Sequence, residues 1–431
     1  LDGMWCENPE SFKTVVDNIK DEYVAYPPNF IFAYSNIGVS LAGHAIENVS
    51  EYAFESYMET NLLSPMGMEN SDFSGKLSTK GYLNGESISE LPIRETPAGG
   101  LNSNVIELSN LVKMFNANGR FNDKQIIQTA TLNEMMTSQN DDIALDVGKR
   151  LGLGLFFYDD VLGKQHKVVG HAGQTIAHNA LVLSAPDLKL GVVLLANSPG
   201  NASLDKIAKK VMRLSLSVKT GSSYSPEEAI LEANSSSEEM DLTGFYAGPK
   251  SIGLTEVKGS SGSYTAQAVG KTFGLKKEGN NLYTLQYKLL GFIPFGMDEV
   301  KVMSENIDGH LALVGHYQGT QFLLGDKVMP YKKQINWDKL LGHYKVNKSR
   351  EGEEVLYLDA MTIKQLDGIY IAEVKSEDGS IINYPIEPVN DNEAIILGLG
   401  RHLSETIHVK VIDGITTLEY AGLKFKREEN S

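Results

Sequence analysis

The chain of 431 residues is too long for one hydrophobic core and predicts roughly two to four domains. Its 42% hydrophobic and 22% charged residues are an ordinary globular composition, and no apolar run approaches the ~18 residues of a membrane span. A formal charge of −16 argues against nucleic acid or an anionic membrane as partner, because phosphate binding needs a basic face.

Cys6 is the single cysteine, so no internal disulfide and no thiolate metal site can form. The first residues, LDGMWCENPESF, hold neither an initiator Met nor a charged-then-apolar leader, and upstream sequence is expected to be absent. Residues 32–36, FAYSN, then lead into IGVSLAGHAIENVS, an apolar helix rich in small residues. Taken alone, Tyr34 reads as a packed ring and Asn36 as the cap that accepts the helix's first N–H groups. The sharper alternative is a phenol that relays protons beside a carboxamide that holds a substrate.

Ser50 is predicted to cap a second helix bearing Phe54, Tyr57, Met58 and Leu62 at helical spacing, stopped by Pro65. The stretch PAGGLNSN, 97–104, reads equally as a plain loop or as part of a site. In NVIELSNLVKMF, Asn104 and Glu107 form a capping-box variant ahead of Leu108, Leu111, Val112 and Phe115 on one face. Thr131 and Glu134 repeat the device. Strand-like runs follow at 153–159, 166–173, 180–185 and 190–197, the last three predicted to form an antiparallel meander. His171 and Gly173 lie in VVGHAGQT, 168–175, either as a surface histidine beside a flexible glycine or as a strand that a ligand approaches closely. A basic amphipathic helix near 203–214 closes a first, mixed α/β domain, 1–215, and residues 216–240 have linker composition.

From 241 onward, short strands are punctuated by Gly and Asp-Gly turns, and the chain echoes itself. LTGFY at 242–246 recurs as LLGHY at 340–344, and NIDGHLAL at 306–313 recurs as VIDGITTL at 411–418. Two tandem antiparallel β-barrel-like units are predicted, 241–333 and 334–431, because closure removes exposed strand edges. LGLGLF (151–156) and LGLGRH (397–402) lack the Lys-Ser/Thr of a phosphate loop. His44, His166 and His178 show no metal-ligand spacing with carboxylates, so neither a metal nor a cofactor is expected.

Together and in this order, YSN, PAGGLNS and GHAGQT…VLLAN resemble the serine β-lactamase and penicillin-binding DD-peptidase superfamily, and more closely its esterase and D-aminopeptidase branch. The resemblance covers most of residues 1–215 and implies an α/β, transpeptidase-like domain. It implies a serine hydrolase that acts on a small-molecule or peptide substrate through an acyl-enzyme. Tyr34 would shuttle a proton near the nucleophile, Asn36 would hold the acyl-side amide, and His171 would take a strand position often held by Lys. Gly173 would admit the substrate, and the backbone N–H of Gln174 would form half of an oxyanion hole. Because a neutral imidazole offers no permanent charge, a preference for substrates without the penicillin-type carboxylate is expected.

The resemblance departs at one point. A Ser-x-x-Lys should lie upstream of Tyr34, and residues 1–33 hold none; the domain reads as N-terminally truncated and the chain alone as inactive. The one Ser-x-x-Lys present, Ser203 to Lys206, falls after the His-x-Gly strand and reads as chance spacing. The D-aminopeptidase-like branch also carries two small barrels after its hydrolase domain, in the order read here. One barrel loop can lean over the cleft, and KLLGFIPFGMDE, 288–299, is a candidate beside the plainer reading of a buried strand. The resemblance leans toward a periplasmic or secreted protein. The rival readings are a non-catalytic module that binds peptide or cell-wall fragments, and barrels that bind small apolar ligands.

Overall fold

The computed structural model describes residues 9–20, 22–75, 79–221, 224, 239–260, 262–289, 293–317, 320–329, 331, 335–346, 358–376, 378–401 and 403–428. Cys6 and most of the linker lie outside them. A short helix α1 (Val15–Ile19) precedes α2 (Asn36–Ser50). Ser50 is the last residue of α2, not a cap for the next helix: Glu51 turns into the left-handed region at φ 62° and closes α2 with its N–H on Glu47. The following helix α3 (Phe54–Met58) starts after Ala53 with no side-chain cap. It runs on through a π turn (Glu59–Leu63) and a 3-10 turn (Ser64–Met66), where Pro65 is accommodated. Gly67, at φ 67°, makes the stop.

The strands β1 (Gly81–Leu83) and β2 (Glu86–Ile88) form a hairpin, and α4 (Thr96–Gly99) leads to α5 (Val105–Asn116). Asn104 caps α5 as predicted, accepting the Glu107 N–H at 3.0 Å. A second small hairpin, β3 (Arg120–Phe121) and β4 (Lys124–Gln125), precedes α6 (Thr129–Met135). Thr131 is inside α6 and Gln128 stands at its N-cap, so the second capping device does not form.

The domain's sheet is antiparallel, in the order β5 (Phe156–Phe157), β6 (Val169–Gln174), β7 (Asn179–Ala185) and β8 (Leu190–Ala196), with α7 (Asp159–Leu162) between β5 and β6. The first strand is shorter than 153–159: Gly154 turns at φ 70°, and Gly152 runs so close to the Met135 carbonyl that a Cβ there would stand 2.1 Å from its oxygen. α8 (Asn201–Thr220) extends past the predicted helix on both sides. Side chains of β7 alternate as the pleat requires: Leu181 and Leu183 pack with Ala208, Met212 and Leu216 of α8, while Val182 faces the cluster of Leu108, Met114 and Phe115 from α5. The sheet is covered on both faces.

Two closed, eight-stranded antiparallel barrels follow. The first holds β9 (Gly244–Ala247), β10 (Leu254–Ser260), β11 (Ser263–Ala268), β12 (Lys271–Gly279), β13 (Leu282–Leu289), β14 (Ile293–Ile307), β15 (His310–Tyr317) and β16 (Thr320–Lys327). The second holds β17 (Gly342–Val346), β18 (Leu358–Leu366), β19 (Ile369–Ser376), β20 (Ile381–Asn390), β21 (Glu393–Ile396), β22 (Thr406–Ile412), β23 (Ile415–Tyr420) and β24 (Leu423–Arg427).

The sequence echoes have physical causes. Tyr246 donates its hydroxyl to the Leu242 carbonyl at 3.0 Å, and Tyr344 does the same to Leu340 at 2.8 Å. In each barrel the last strand returns a cation, Lys327 or Arg427, over that tyrosine ring and against the glycine two residues before it. The second echo forms the turns between β14 and β15 and between β22 and β23, where Asp308, Gly309, Asp413 and Gly414 all adopt positive φ.

The three domains meet in one cluster. Leu145 of the α/β domain packs with Ile307, Ala312 and Val314 of the first barrel, and Phe30, Ile31, Val147 and Leu399 lie against them.

Candidate active site

Tyr34 is half-buried at the entrance to α2. The cap is its neighbour Ser35, whose Oγ accepts the Gly38 N–H at 3.0 Å. Asn36 therefore occupies the first helical position, and the capping role proposed for it passes to Ser35.

The ring of Tyr34 lies 6.2 Å from the imidazole of His171, centroid to centroid, so the YSN turn and the His-x-Gly strand do meet. Phe156 completes the group: it stacks on Tyr34 at 6.4 Å and lies 5.3 Å from His171. Phe32 stands edge-on to Phe156 at 5.9 Å. The position of Phe32 is fixed through its backbone, whose N–H donates to buried Asp146 at 2.6 Å. Asn140 donates to the other oxygen of the same carboxylate. Lys149 puts its ammonium 4.7 Å from the Phe32 ring centre and 5.0 Å from that of Phe156. Loss of water around that head lowers its pKa, and the nearby Asp146 charge partly offsets the effect.

On β6, β5 pairs only with Val169 and Gly170, so from His171 onward β7 alone flanks the strand in the described sheet. Burial lowers the pKa of His171, against a smaller raising effect of the backbone at Ala172. The ring is therefore neutral at pH 7. Two glycines of this strand differ in cause. A Cβ on Gly170 would stand 2.0 Å from the Val182 carbonyl oxygen, so packing demands glycine there. On Gly173 it would meet only Ala180, at an ordinary 3.7 Å, so the fold itself makes no such demand. Gln174 ends the strand. The turn after it is held by Glu90, which accepts from Thr175, from the Ala177 N–H at 2.8 Å and pairs with His178 at 3.0 Å.

The PAGGLNSN stretch couples α2 to α5. A Cβ on Gly43 of α2 would stand 2.4 Å from Pro97, showing how closely α4 sits on that helix. Asn102 exchanges backbone hydrogen bonds with Asp72, and Ser103 meets Ser71 at 2.7 Å. Glu107 below them takes the Asn70 N–H at 3.0 Å and the Ser71 hydroxyl at 2.6 Å. Burial opposes the charge of Glu107, yet these bonds hold its carboxyl below the usual range.

Ser203 and Lys206 lie on the exposed side of α8. His44 and His166 pair with Asn48 and Asp187. Among the described residues no cluster of three potential metal ligands occurs. In 288–299, residues 290–292 lie outside the described residues, as do the side chains of the whole stretch; its described backbone belongs to the β13–β14 hairpin. The barrel segment found at Tyr34 is a different one. Arg401, in the LGLGRH stretch between β21 and β22, places its guanidinium carbon 4.7 Å from the centre of the Tyr34 ring.

Comparison with known proteins covers both parts of the chain. The family model described as Beta-lactamase matches residues 2–217. Beta-lactamase-like protein 2 of Dictyostelium discoideum is 28% identical over 139 residues, 30% of this chain and 24% of that protein. The chain thus matches about a quarter of that curated relative's length. Among solved structures, SurE superposes with a TM-score of 0.51 at 19% identity, over 75% of this chain and 76% of its own. The octameric penicillin-binding protein homologue from Pyrococcus abyssi gives a TM-score of 0.45 at 23% identity, over 73% and 70% of the two chains.

Proposed function

The chain belongs to the beta-lactamase family, and from that premise we propose that its α/β domain forms the cleft of a serine hydrolase acting on amides or esters through an acyl-enzyme. The observation that carries the reading is the contact of Tyr34 with His171, which brings two distant sequence motifs to one wall. In this reading Tyr34 moves a proton between nucleophile and leaving group, and Asn36 holds the acyl-side amide. Gly173 lets the substrate backbone approach β6, and the Gln174 N–H supports the developing oxyanion. His171 shapes the strand side of the cleft as a neutral ring.

The nucleophile is not among these residues. The Ser-x-x-Lys spacing occurs once in the 431 residues, as Ser203 and Lys206, and α8 holds the pair on its outer side. We assign it no role, and propose that the chain taken by itself does not acylate. Treatment with a fluorophosphonate followed by intact-mass measurement tests this: no adduct is expected, and an adduct abolished by Ser203→Ala would overturn both statements. In the native protein, Tyr34→Phe and Asn36→Ala should each lower kcat/KM on a nitrophenyl ester by about 10²-fold or more.

A second reading is a cleft that binds peptide or cell-wall fragments without cleaving them. Stoichiometric labelling of the native protein at a serine would eliminate it.

A further inference from the structure

Residues 397–400 of the LGLGRH stretch are each anchored. The Tyr26 hydroxyl donates to the Gly398 carbonyl at 2.9 Å and accepts the Gly400 N–H at 3.1 Å. Gly398 and Gly400 have φ of 130° and 104°, a backbone that favours glycine. Leu399 joins the cluster shared by the three domains, and Leu403 is buried in the core of the second barrel. A segment pinned in this way delivers Arg401 to the Tyr34 ring from a separate domain.

Neither cation there is ion-paired, although the Asp146 charge acts on Lys149 from a distance. Among the described residues no carboxylate stands within ion-pair distance of Arg401 or of Lys149, the two cations bordering the rings of Phe32, Phe156 and Tyr34. The chain as a whole carries −16, so Arg401 and Lys149, set against the one nearby carboxylate of Asp146, leave a local excess of positive charge. The strand itself contributes no fixed charge, because His171 is neutral.

We propose that Arg401, supplied by the second barrel, is a specificity-determining residue that receives a carboxylate of the substrate at the Tyr34 end of the cleft, with Lys149 as a second, weaker source of attraction. The proposal rests on the hydrolase reading for the location of the cleft, and reverses the preference for uncharged substrates that His171 alone predicts. A guanidinium held over a ring keeps its N–H edge available, and that edge matches a carboxylate with two parallel hydrogen bonds.

The test is equilibrium binding of two non-reactive amides of equal acyl length, N-phenylsuccinamic acid and N-phenylbutyramide, measured by calorimetry on the 431-residue chain. The succinamic acid should bind more tightly, and added salt should erode its advantage. Arg401→Gln should weaken it roughly tenfold and leave the butyramide unchanged, Arg401→Lys should keep part of the difference, and Lys149→Gln should cost less. Equal weakening of both ligands by Arg401→Gln would reduce the contact to packing, and no effect or no binding of either ligand would overturn the proposal. Carboxylate-selective binding in a native protein that never labels at a serine would leave this site standing and remove the hydrolase reading.

Discussion

The buried Asp146 carboxylate accepts the backbone N–H of Phe32 at 2.6 Å and so fixes the first ring of the cleft wall. Asp146→Ala would strand that donor and the Asn140 amide together, a loss of about 2–4 kcal/mol. Asp146→Asn, which keeps one acceptor, should cost less. Urea unfolding gives the stability, and near-UV circular dichroism should register the loosened rings. An unchanged aromatic signal in Asp146→Ala would show that Phe32 is held by packing alone.

Two histidines set the first acid limb. Burial lowers the pKa of His171 and of His316, so below about pH 6.5 the unfolded chain takes up protons that the folded one resists. Their contribution is complete above about pH 6.5 and is lost as pH falls from there toward the depressed folded values. Unfolding free energy measured between pH 7 and 5 should fall, and His316→Gln should flatten the curve. A slope indifferent to both His316→Gln and His171→Gln would refute the assignment.

Glu107 acts lower on the pH scale. Hydrogen bonds from Ser71 and Asn70 outweigh burial and depress its carboxyl, so its stabilisation is present above the ordinary glutamate range and lost as pH falls through the folded value. Glu107→Gln should destabilise by about 1.5–3 kcal/mol at pH 7 and by much less at pH 3. The paired variant Asn104→Ala, which removes the cap and one of the side-chain bonds that depress Glu107, should cost about 1 kcal/mol at pH 7 and somewhat less at pH 3.

Gly43→Ala probes the seat of α4. The new methyl would fall 2.4 Å from Pro97 Cγ, and a proline ring has little freedom to yield. Helix propensity favours alanine, but overpacking should prevail and cost about 1–3 kcal/mol. A stabilised Gly43→Ala protein in thermal melting would mean that α4 shifts freely.

The paired barrel turns should respond alike. Gly309 and Gly414 sit at φ 88° and 79°, after aspartates that are also left-handed. Alanine at either should destabilise by about 1 kcal/mol, because the strain is set by the turn and not by its surroundings. Strongly unequal losses in unfolding experiments would make the echo one of sequence only.

Much of this architecture can be read from local rules. The meander of β6, β7 and β8, the cap at Asn104 and the two barrels follow from alternation, capping chemistry and repeated turn motifs. The misreadings are also local: Ser50 and Thr131 look like caps, but hydroxyl residues occur equally well within helices whose ends are set by Glu51 or Gln128. That the Tyr34 turn meets the His171 strand is legible in the short, ordered motifs that hold them. Phe32, Asp146, Lys149, Phe156 and Arg401 are not legible, since each reaches the cleft wall through a long-range contact that no spacing encodes. LGLGRH shows the difficulty best. Its glycines resemble a failed phosphate loop, whereas their use is to bend backbone around the hydroxyl of Tyr26.

Composition puts a seam in the chain between the α/β domain and the barrels, yet Leu145, Val147, Phe30 and Ile31 are covered by Ile307, Ala312, Val314 and Leu399 from beyond it. A protease that severed the linker would free no self-sufficient domain. The excised piece would expose an apolar face beside the very loop that ties down Phe32, and would be prone to associate through it. The three parts are modules in the order of genes and a single body in the ledger of solvation.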